Sequence, residues 1–135
     1  MQFILDHYEN PRNYGPRLDA DIVQKGGNPG CGDIVTLYLK FDINGIINDI
    51  SFEGEGCILS QAATSMITEI VEGKSVEEVE KMSPDVITDI IGKELAMTRP
   101  RCTTLGLTTV KLALNERHKQ ETISQIEKEK EALNT

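Results

Sequence analysis

The segment IVTLYLKFDINGIINDISFE, residues 34–53, alternates apolar and polar side chains on both sides of an Asn-Gly pair. One face of its first half is apolar throughout: Val35, Leu37, Leu39 and Phe41. The second half places Ile46, Ile50 and Phe52 on one face. Such alternation is typical of a β-strand with one buried face, and Asn-Gly favours a two-residue hairpin turn at positive φ. The segment therefore predicts an antiparallel hairpin that turns at Asn44 and Gly45.

The hydrophobic period changes directly after this hairpin. Between residues 57 and 73 the apolar side chains recur at three- and four-residue steps, which indicates an amphipathic helix. Two shorter helices are predicted at 75–82, where SVEE forms a capping box, and at 83–92, which ends in glycine. We expect KELAMTRPR, residues 93–101, to be a loop that leads to a last helix starting at Cys102.

The two ends of the chain complete the predicted architecture. Residues 2–9 indicate a short helix, and residues 20–25 a short strand. The order helix, strands, helices is typical of an α+β protein with two layers. A chain of 135 residues suggests one domain, which we place at residues 1–120. Residues 121–135 have mixed charge and few apolar side chains, as in a solvated helical extension or a frayed tail.

Composition narrows the class of partner. The net charge of −8 argues against nucleic acid as a main partner, because phosphate binding needs a basic face. No apolar run is long enough to span a bilayer, so we expect no membrane partner. The first residues, MQFILDHYEN, have neither a basic n-region nor a small-residue cleavage site, and we therefore expect a cytoplasmic protein.

The three cysteines, Cys31, Cys57 and Cys102, lie where regular structure is predicted to change. Their odd number and the absence of a C-x-x-C motif argue against a disulfide framework and a zinc finger. Cys57 and Cys102 lie near predicted helix N-termini, where the helix dipole favours a thiolate. A free cysteine is, however, usually a small buried hydrophobic residue. Spacing alone leaves both interpretations open, a shared thiol site and three separate buried cysteines.

Asp33 follows Cys31 by two positions in the glycine-rich segment GGNPGCGDIV, residues 26–35. On its own, an aspartate after a glycine often makes only a local turn. Together with three thiolates it would complete a set of three sulfur ligands and one oxygen ligand, which zinc accepts. Iron–sulfur clusters normally take four thiolates. One carboxylate would therefore make a cluster site more open, which suits transfer of the cluster better than electron carriage.

Three segments of the chain resemble the U-type iron–sulfur cluster scaffold family, which includes IscU, SufU and the N-terminal domain of NifU. The segments are NPGCGD at 28–33, FEGEGCILSQAATSMITEIVEGK at 52–74 and RPRCTTLGL at 99–107. The likeness extends from LDHYENPRNYG at 5–15 to the last helix. It implies a small three-stranded antiparallel sheet with helices packed on it.

The resemblance also implies a site and a chemistry. The family's ligand set falls on Cys31, Asp33, Cys57 and Cys102. These residues would hold an assembling cluster, often [2Fe–2S], or a zinc ion when no cluster is present. A cysteine desulfurase would deliver sulfur as a persulfide, to Cys102 in an IscU-like protein or to Cys31 in a SufU-like one. Apo-proteins would receive the cluster, and a frataxin-like or ferredoxin partner is compatible with the same scheme.

The chain departs from both subfamilies. Arg101 stands where Isc-type proteins have histidine, and an arginine cannot ligate a metal. MTRPR at 97–101 replaces the L-P-P-V-K segment of those proteins, which weakens the case for recognition by their dedicated Hsp70-type chaperone. GEGCILSQA is similar to SufU, whereas the 45-position separation of Cys57 and Cys102 is the compact Isc-like length.

Two functions of different classes follow from this combination of IscU-like and SufU-like features. One is a cluster assembly scaffold, which is a binding protein. The other is a zinc-dependent sulfurtransferase that relays persulfide sulfur and never holds a cluster. A structural zinc domain is a third and simpler interpretation of the same ligands. Whether the protein is an enzyme depends on which of these is correct.

Overall fold

The fold is α+β, as the sequence predicts, with one antiparallel sheet and helices packed on it. The structure is a computed structural model that describes residues 2–28 and 32–133. Before and within the sheet, the elements are α1 (Gln2–Glu9), β1 (Ile22–Asn28), β2 (Asp33–Phe41) and β3 (Ile47–Glu55). The helices that follow are α2 (Ile58–Val71), α3 (Val76–Glu80), α4 (Asp85–Ile91), α5 (Lys93–Thr98) and α6 (Pro100–Leu133).

The sheet has the strand order β1-β2-β3, with both pairs antiparallel. Leu37 lies at its centre, opposite Gln24 on one side and Phe52 on the other. Most residues of the predicted apolar face are fully buried, namely Val35, Leu37, Leu39, Ile50 and Phe52, whereas Phe41 at the end of β2 is only partly buried. Helices α2 and α6 pack on the sheet and bring their own apolar residues into the same core. The alternation in the sequence therefore identified the buried side of the sheet correctly.

The turn between β2 and β3 is wider than the two-residue turn that the Asn-Gly pair predicts. Only Gly45 has a positive φ, +77°, and Asn44 does not. The Oδ1 atom of Asp42 accepts the N–H groups of Asn44 and Ile46 at 2.8 and 2.9 Å. This side chain shapes a five-residue loop, and the strand register shifts at the end of β2. As a result Ile47, and not Ile46, is the fully buried residue at the start of β3.

The prediction of a loop at residues 93–101 is wrong. Residues Lys93–Thr98 form α5, whose Ala96 is buried, and α6 already begins at Pro100. The boundary before α5 is Gly92, at φ +102°, and it offers no side-chain cap. The N-terminal capping signal that marks most helices in a sequence is therefore missing here. Pro100 fits the first position of α6, and Cys102 becomes the third residue of that helix.

Helix α6 continues far beyond the core. Its last buried residue is Leu114, and every described residue after Arg117 is exposed. This exposed part of α6, the helical extension, runs to Leu133. No helix in the described ranges is long and apolar enough to cross a membrane.

Candidate metal centre

Asp33 is the first residue of β2, and its side chain is only 1% exposed. Its Oδ1 atom accepts the backbone N–H of Cys57 at 2.8 Å. This contact joins the start of β2 to the start of α2, where the unpaired N–H groups and the helix dipole favour a negative charge. Asp33 is therefore more than the local turn residue that its sequence context allows, because its carboxylate is held by a different element.

Cys57 is the N-cap of α2. Its Sγ atom accepts the backbone N–H of Ser60 at 3.4 Å, the capping contact that serine or aspartate makes at most helix starts. Burial acts to raise the pKa of the Cys57 thiol, but hydrogen bonds from Ser60 and Cys102 outweigh it. The nearby Asp33 also acts to raise this pKa, and the net result is a value below the ordinary one. The cap position therefore favours the thiolate form of Cys57.

Cys102, in the first turn of α6, completes the group. Its Sγ atom lies 3.0 Å from Oδ2 of Asp33, and Sγ of Cys57 lies 3.8 Å from the same oxygen. Asp33, Cys57 and Cys102 each offer a ligand atom, and these atoms all lie within 4.8 Å of one another. A tetrahedral zinc ion with bonds of about 2.0–2.3 Å needs donor atoms separated by roughly 3.3–3.8 Å. The three side chains therefore fit a tetrahedral metal with little movement.

Of the four residues predicted for the site, the structure brings these three together, and Cys31 lies outside the described residues. Arg101 precedes Cys102 on α6 and is exposed. A guanidinium is always protonated and has no lone pair to offer a metal, so Arg101 is not a ligand.

Two further residues lie beside the site: Ser60 was not singled out from the sequence, and Gly56 was expected only to let its loop move and partners approach. Ser60 is fully buried, and it contacts Cys57 twice, through its N–H to Sγ and through its hydroxyl to the carbonyl oxygen at 3.1 Å. Gly56 has φ +143°, and a Cβ atom there would overlap the Asp33 carboxylate. The available signals were a serine three residues after the cap cysteine and a glycine directly before it.

A groove of about 470 Å³ opens beside Cys57. Its walls come from α1, the start of α2 and α5: Ile4, Leu5, Gly56, Cys57, Ile58, Leu59, Leu95, Thr98 and Arg99. Cys57 is half-buried at this groove, whereas Cys102 is 1% exposed and is not part of the wall. The two thiols therefore share a carboxylate but differ in their access from outside.

Comparison with known proteins gives one family. The NifU-like N-terminal domain matches residues 1–123. A relative named iron–sulfur cluster assembly scaffold protein IscU, from Archaeoglobus fulgidus, is 39% identical over 82% of this chain and 71% of its own length. A relative named zinc-dependent sulfurtransferase SufU, from Bacillus subtilis, is 45% identical over 69% of this chain and 62% of its own length.

Solved structures agree with the assignment to the NifU-like N-terminal domain family. The SufU protein of Fervidobacterium islandicum AW-1, described as an iron–sulfur cluster assembly scaffold of the SUF system, superposes with a TM-score of 0.71. It is 32% identical, and the match covers 84% of this chain and 95% of that one. A NifU-like N-terminal protein from Brucella abortus has a TM-score of 0.73 at 21% identity, which is evidence for the shared fold alone.

Proposed function

This chain belongs to the NifU-like N-terminal domain family of U-type iron–sulfur cluster scaffolds, and we propose that it assembles a labile cluster and passes it on. In this proposal the chain receives sulfur from a cysteine desulfurase, combines it with iron and transfers the product to apo-proteins. The cluster, [2Fe–2S] in the simplest form, is cargo and not a resident cofactor. In this proposal the protein therefore binds and orients the cluster and then releases it.

One observation carries the proposal, the convergence of Asp33, Cys57 and Cys102 within 4.8 Å. Two of the ligands are thiolate donors from different helices, and the third is a carboxylate at the start of a strand. Cys31 is proposed as the third thiolate. Because clusters prefer four thiolates, the single carboxylate would leave one corner weakly held, which favours release over storage.

The sulfur step is a thiol–persulfide exchange. A thiolate of this chain attacks the outer sulfur of the desulfurase persulfide, the S–S bond of that persulfide breaks, and the desulfurase cysteine leaves as a thiolate. A new S–S bond then joins the outer sulfur to this chain. We propose Cys102 as the acceptor if the protein works like IscU, and Cys31 if it works like SufU. Since Cys102 is only 1% exposed, the first route requires the start of α6 to move away from Asp33.

Anaerobic reconstitution tests this function. The protein is incubated with ferrous iron, cysteine, a reductant such as a reduced ferredoxin, and a cysteine desulfurase, and its visible spectrum is followed. We expect sulfur-to-iron charge-transfer bands that disappear when an apo-ferredoxin is added and takes up the cluster. If Cys57→Ser and Cys102→Ser each leave iron content and sulfur uptake unchanged, the proposal is wrong. A control is Ser124→Ala, which removes an exposed hydroxyl on the part of α6 beyond the core.

A zinc-dependent sulfurtransferase is the second candidate, favoured by the 45% identity to the relative of that name. Asp33, Cys57 and Cys102 would hold the zinc, with Cys31 as the proposed fourth ligand. Bound zinc would keep the cysteines deprotonated in a fixed arrangement. Under this alternative the protein speeds desulfurase turnover and retains zinc, but no charge-transfer spectrum develops. If the protein binds zinc tightly but neither speeds desulfurase turnover nor develops a charge-transfer spectrum, it would be a structural zinc domain.

A further inference from the structure

Gly56 and Asp33 lie side by side where the β2–β3 ladder ends. Ile34 pairs with Glu55 in the last described step of that ladder, so the next positions on the two strands are Asp33 and Gly56. A Cβ atom built on Gly56 would overlap Oδ1 of Asp33, and it would lie 2.8 Å from the carboxylate carbon and 3.0 Å from Cα. The aspartate side chain therefore occupies the space that any other residue at position 56 would fill.

The orientation of the carboxylate depends on this space. Oδ1 reaches the N–H of Cys57 at 2.8 Å, directly beside the glycine. That contact turns the second oxygen, Oδ2, toward Sγ of Cys102 and Sγ of Cys57. A carboxylate displaced by a methyl group at position 56 would lose the amide contact and, with it, the fixed direction of Oδ2.

We propose that Gly56 is a positioning residue of the site, which acts through Asp33. Its lack of a side chain lets the carboxylate rest on the Cys57 amide through Oδ1 and present Oδ2 alone to a metal. Asp33 is thereby a one-oxygen ligand, since its other oxygen is already held by α2. The inference deepens the proposed function, because it rests on Asp33 and the two cysteines being the ligands.

Backbone strain gives a competing explanation for the glycine. Gly56 has φ +143°, a conformation that residues with a side chain rarely adopt, so any substitution is strained whatever its neighbours. The two explanations differ in one respect. Strain is independent of Asp33, whereas the positioning role disappears once the carboxylate is removed.

A double-mutant cycle separates them. Zinc dissociation constants are measured by competition with a chromophoric chelator for the natural protein, Gly56→Ala, Asp33→Ala and the double variant. With Asp33 present, we expect Gly56→Ala to weaken zinc binding on the order of 10–100-fold, as for other residues that orient a ligand. With Asp33→Ala, the same change should alter affinity by less than about twofold, the scatter of independent sites. An equal loss in both backgrounds would overturn the proposal.

A measurement without metal keeps this test separate from the proposed function. Because Asp33 accepts the Cys57 N–H at 2.8 Å, we expect the Cys57 amide of the metal-free natural protein to be protected from hydrogen exchange and this protection to be lost in Gly56→Ala. Unchanged protection would contradict the positioning role even if the natural protein binds zinc. If the natural protein binds no zinc but the Cys57 amide loses its protection in Gly56→Ala, the metal site is refuted and the role of Gly56 is supported.

The control is Gly73→Ala, at the other end of α2. Gly73 also has a positive φ, +85°, but a Cβ atom there would meet nothing within 4 Å. It should change neither zinc affinity nor exchange of the Cys57 amide. If Gly56→Ala alone fails to fold but folds together with Asp33→Ala, the overlap with the carboxylate is confirmed. If Gly56→Ala fails to fold both alone and together with Asp33→Ala, strain alone explains the glycine and the proposal is wrong.

Discussion

The Sγ atom of Cys102 lies 3.0 Å from Oδ2 of Asp33, although 69 positions separate the two residues in the chain. The contact joins the first turn of α6 to the first residue of β2, beside the start of α2. The candidate ligands therefore exist as a group only in the folded protein. A metal that binds them must favour the folded state over the unfolded one.

Zinc should accordingly stabilise the metal-free protein against urea. At a free zinc concentration near 100 times the dissociation constant, linkage predicts a gain of about 2.7 kcal/mol in the free energy of unfolding. Cys102→Ser should lose most of this gain. Magnesium, which prefers oxygen ligands, serves as the control ion and should give no gain. An equal gain from zinc in the natural protein and in Cys102→Ser would show that zinc binds elsewhere.

The two described thiols should differ in reactivity. Cys57 is half-buried beside an open groove and has a lowered pKa, whereas Cys102 is 1% exposed. We expect iodoacetamide to modify Cys57 at least about tenfold faster in the metal-free protein, a ratio that requires only about 1.4 kcal/mol for local opening. Mass spectrometry of digested samples gives the rate at each cysteine. Faster modification of Cys102 would contradict the described burial, and added zinc should protect both.

His7 should make the fold sensitive to acid. Its ring is 4% exposed, and Nδ1 lies 2.8 Å from Oγ of Ser65 on α2. Burial, and then the charge of Arg12, lower the pKa of His7, while Glu69 and Asp6 act weakly in the opposite direction. The folded state therefore favours neutral His7. Below about pH 6.5 the unfolded chain takes up the proton more readily, so the free energy of unfolding falls as the pH falls.

Urea unfolding at about pH 7.5 and about pH 5.5 checks this sign. His7→Gln cannot titrate and should lose less of its unfolding free energy between the two pH values than the natural protein. His118→Gln, on the exposed part of α6, keeps His7 and should retain the steeper loss. An acid sensitivity that is the same with and without His7 would refute the assignment.

The helical extension should be dispensable. Within the described range, deleting residues 121–135 removes exposed residues and two contacts of Glu121, with Arg117 at 3.0 Å and with His118 at 3.8 Å. Surface pairs of this kind contribute about 0–1 kcal/mol each, so the free energy of unfolding should fall by no more than about 1 kcal/mol. Helical circular dichroism should fall, while zinc affinity stays the same. Deleting α1 is the contrasting variant, because it removes the buried Ile4 and His7 and should destabilise the fold strongly. A shortened chain that no longer unfolds cooperatively would refute the boundary at residue 120.

Local patterns predicted the sheet and most of the helices. The alternation in residues 34–53 was sufficient for β2 and β3, because one face of the sheet is buried by α2 and α6. Predictions from local patterns failed at two places, the turn between β2 and β3 and the boundary between α4 and α5. Asp42 widens the turn that Asn-Gly alone would make tight, and α5 begins directly after Gly92, which has no side chain to cap it.

The candidate site was predictable only in part. Cysteines near helix starts indicated thiolates, but no spacing rule brings Asp33 to Cys102 across 69 positions. That grouping came from the family resemblance. The contribution of Gly56 was not predicted, because its contact with Asp33 appears only when two strands pair and end together.

The most direct test of the central claim is the iron and acid-labile sulfide content after anaerobic reconstitution with ferrous iron, cysteine, a reductant and a cysteine desulfurase. The account predicts equal amounts of iron and sulfide bound to the natural protein, transferable to an apo-ferredoxin and lost in Cys57→Ser and in Cys102→Ser. Bound iron and sulfide that persist in both variants, or a natural protein that takes up neither, would contradict it.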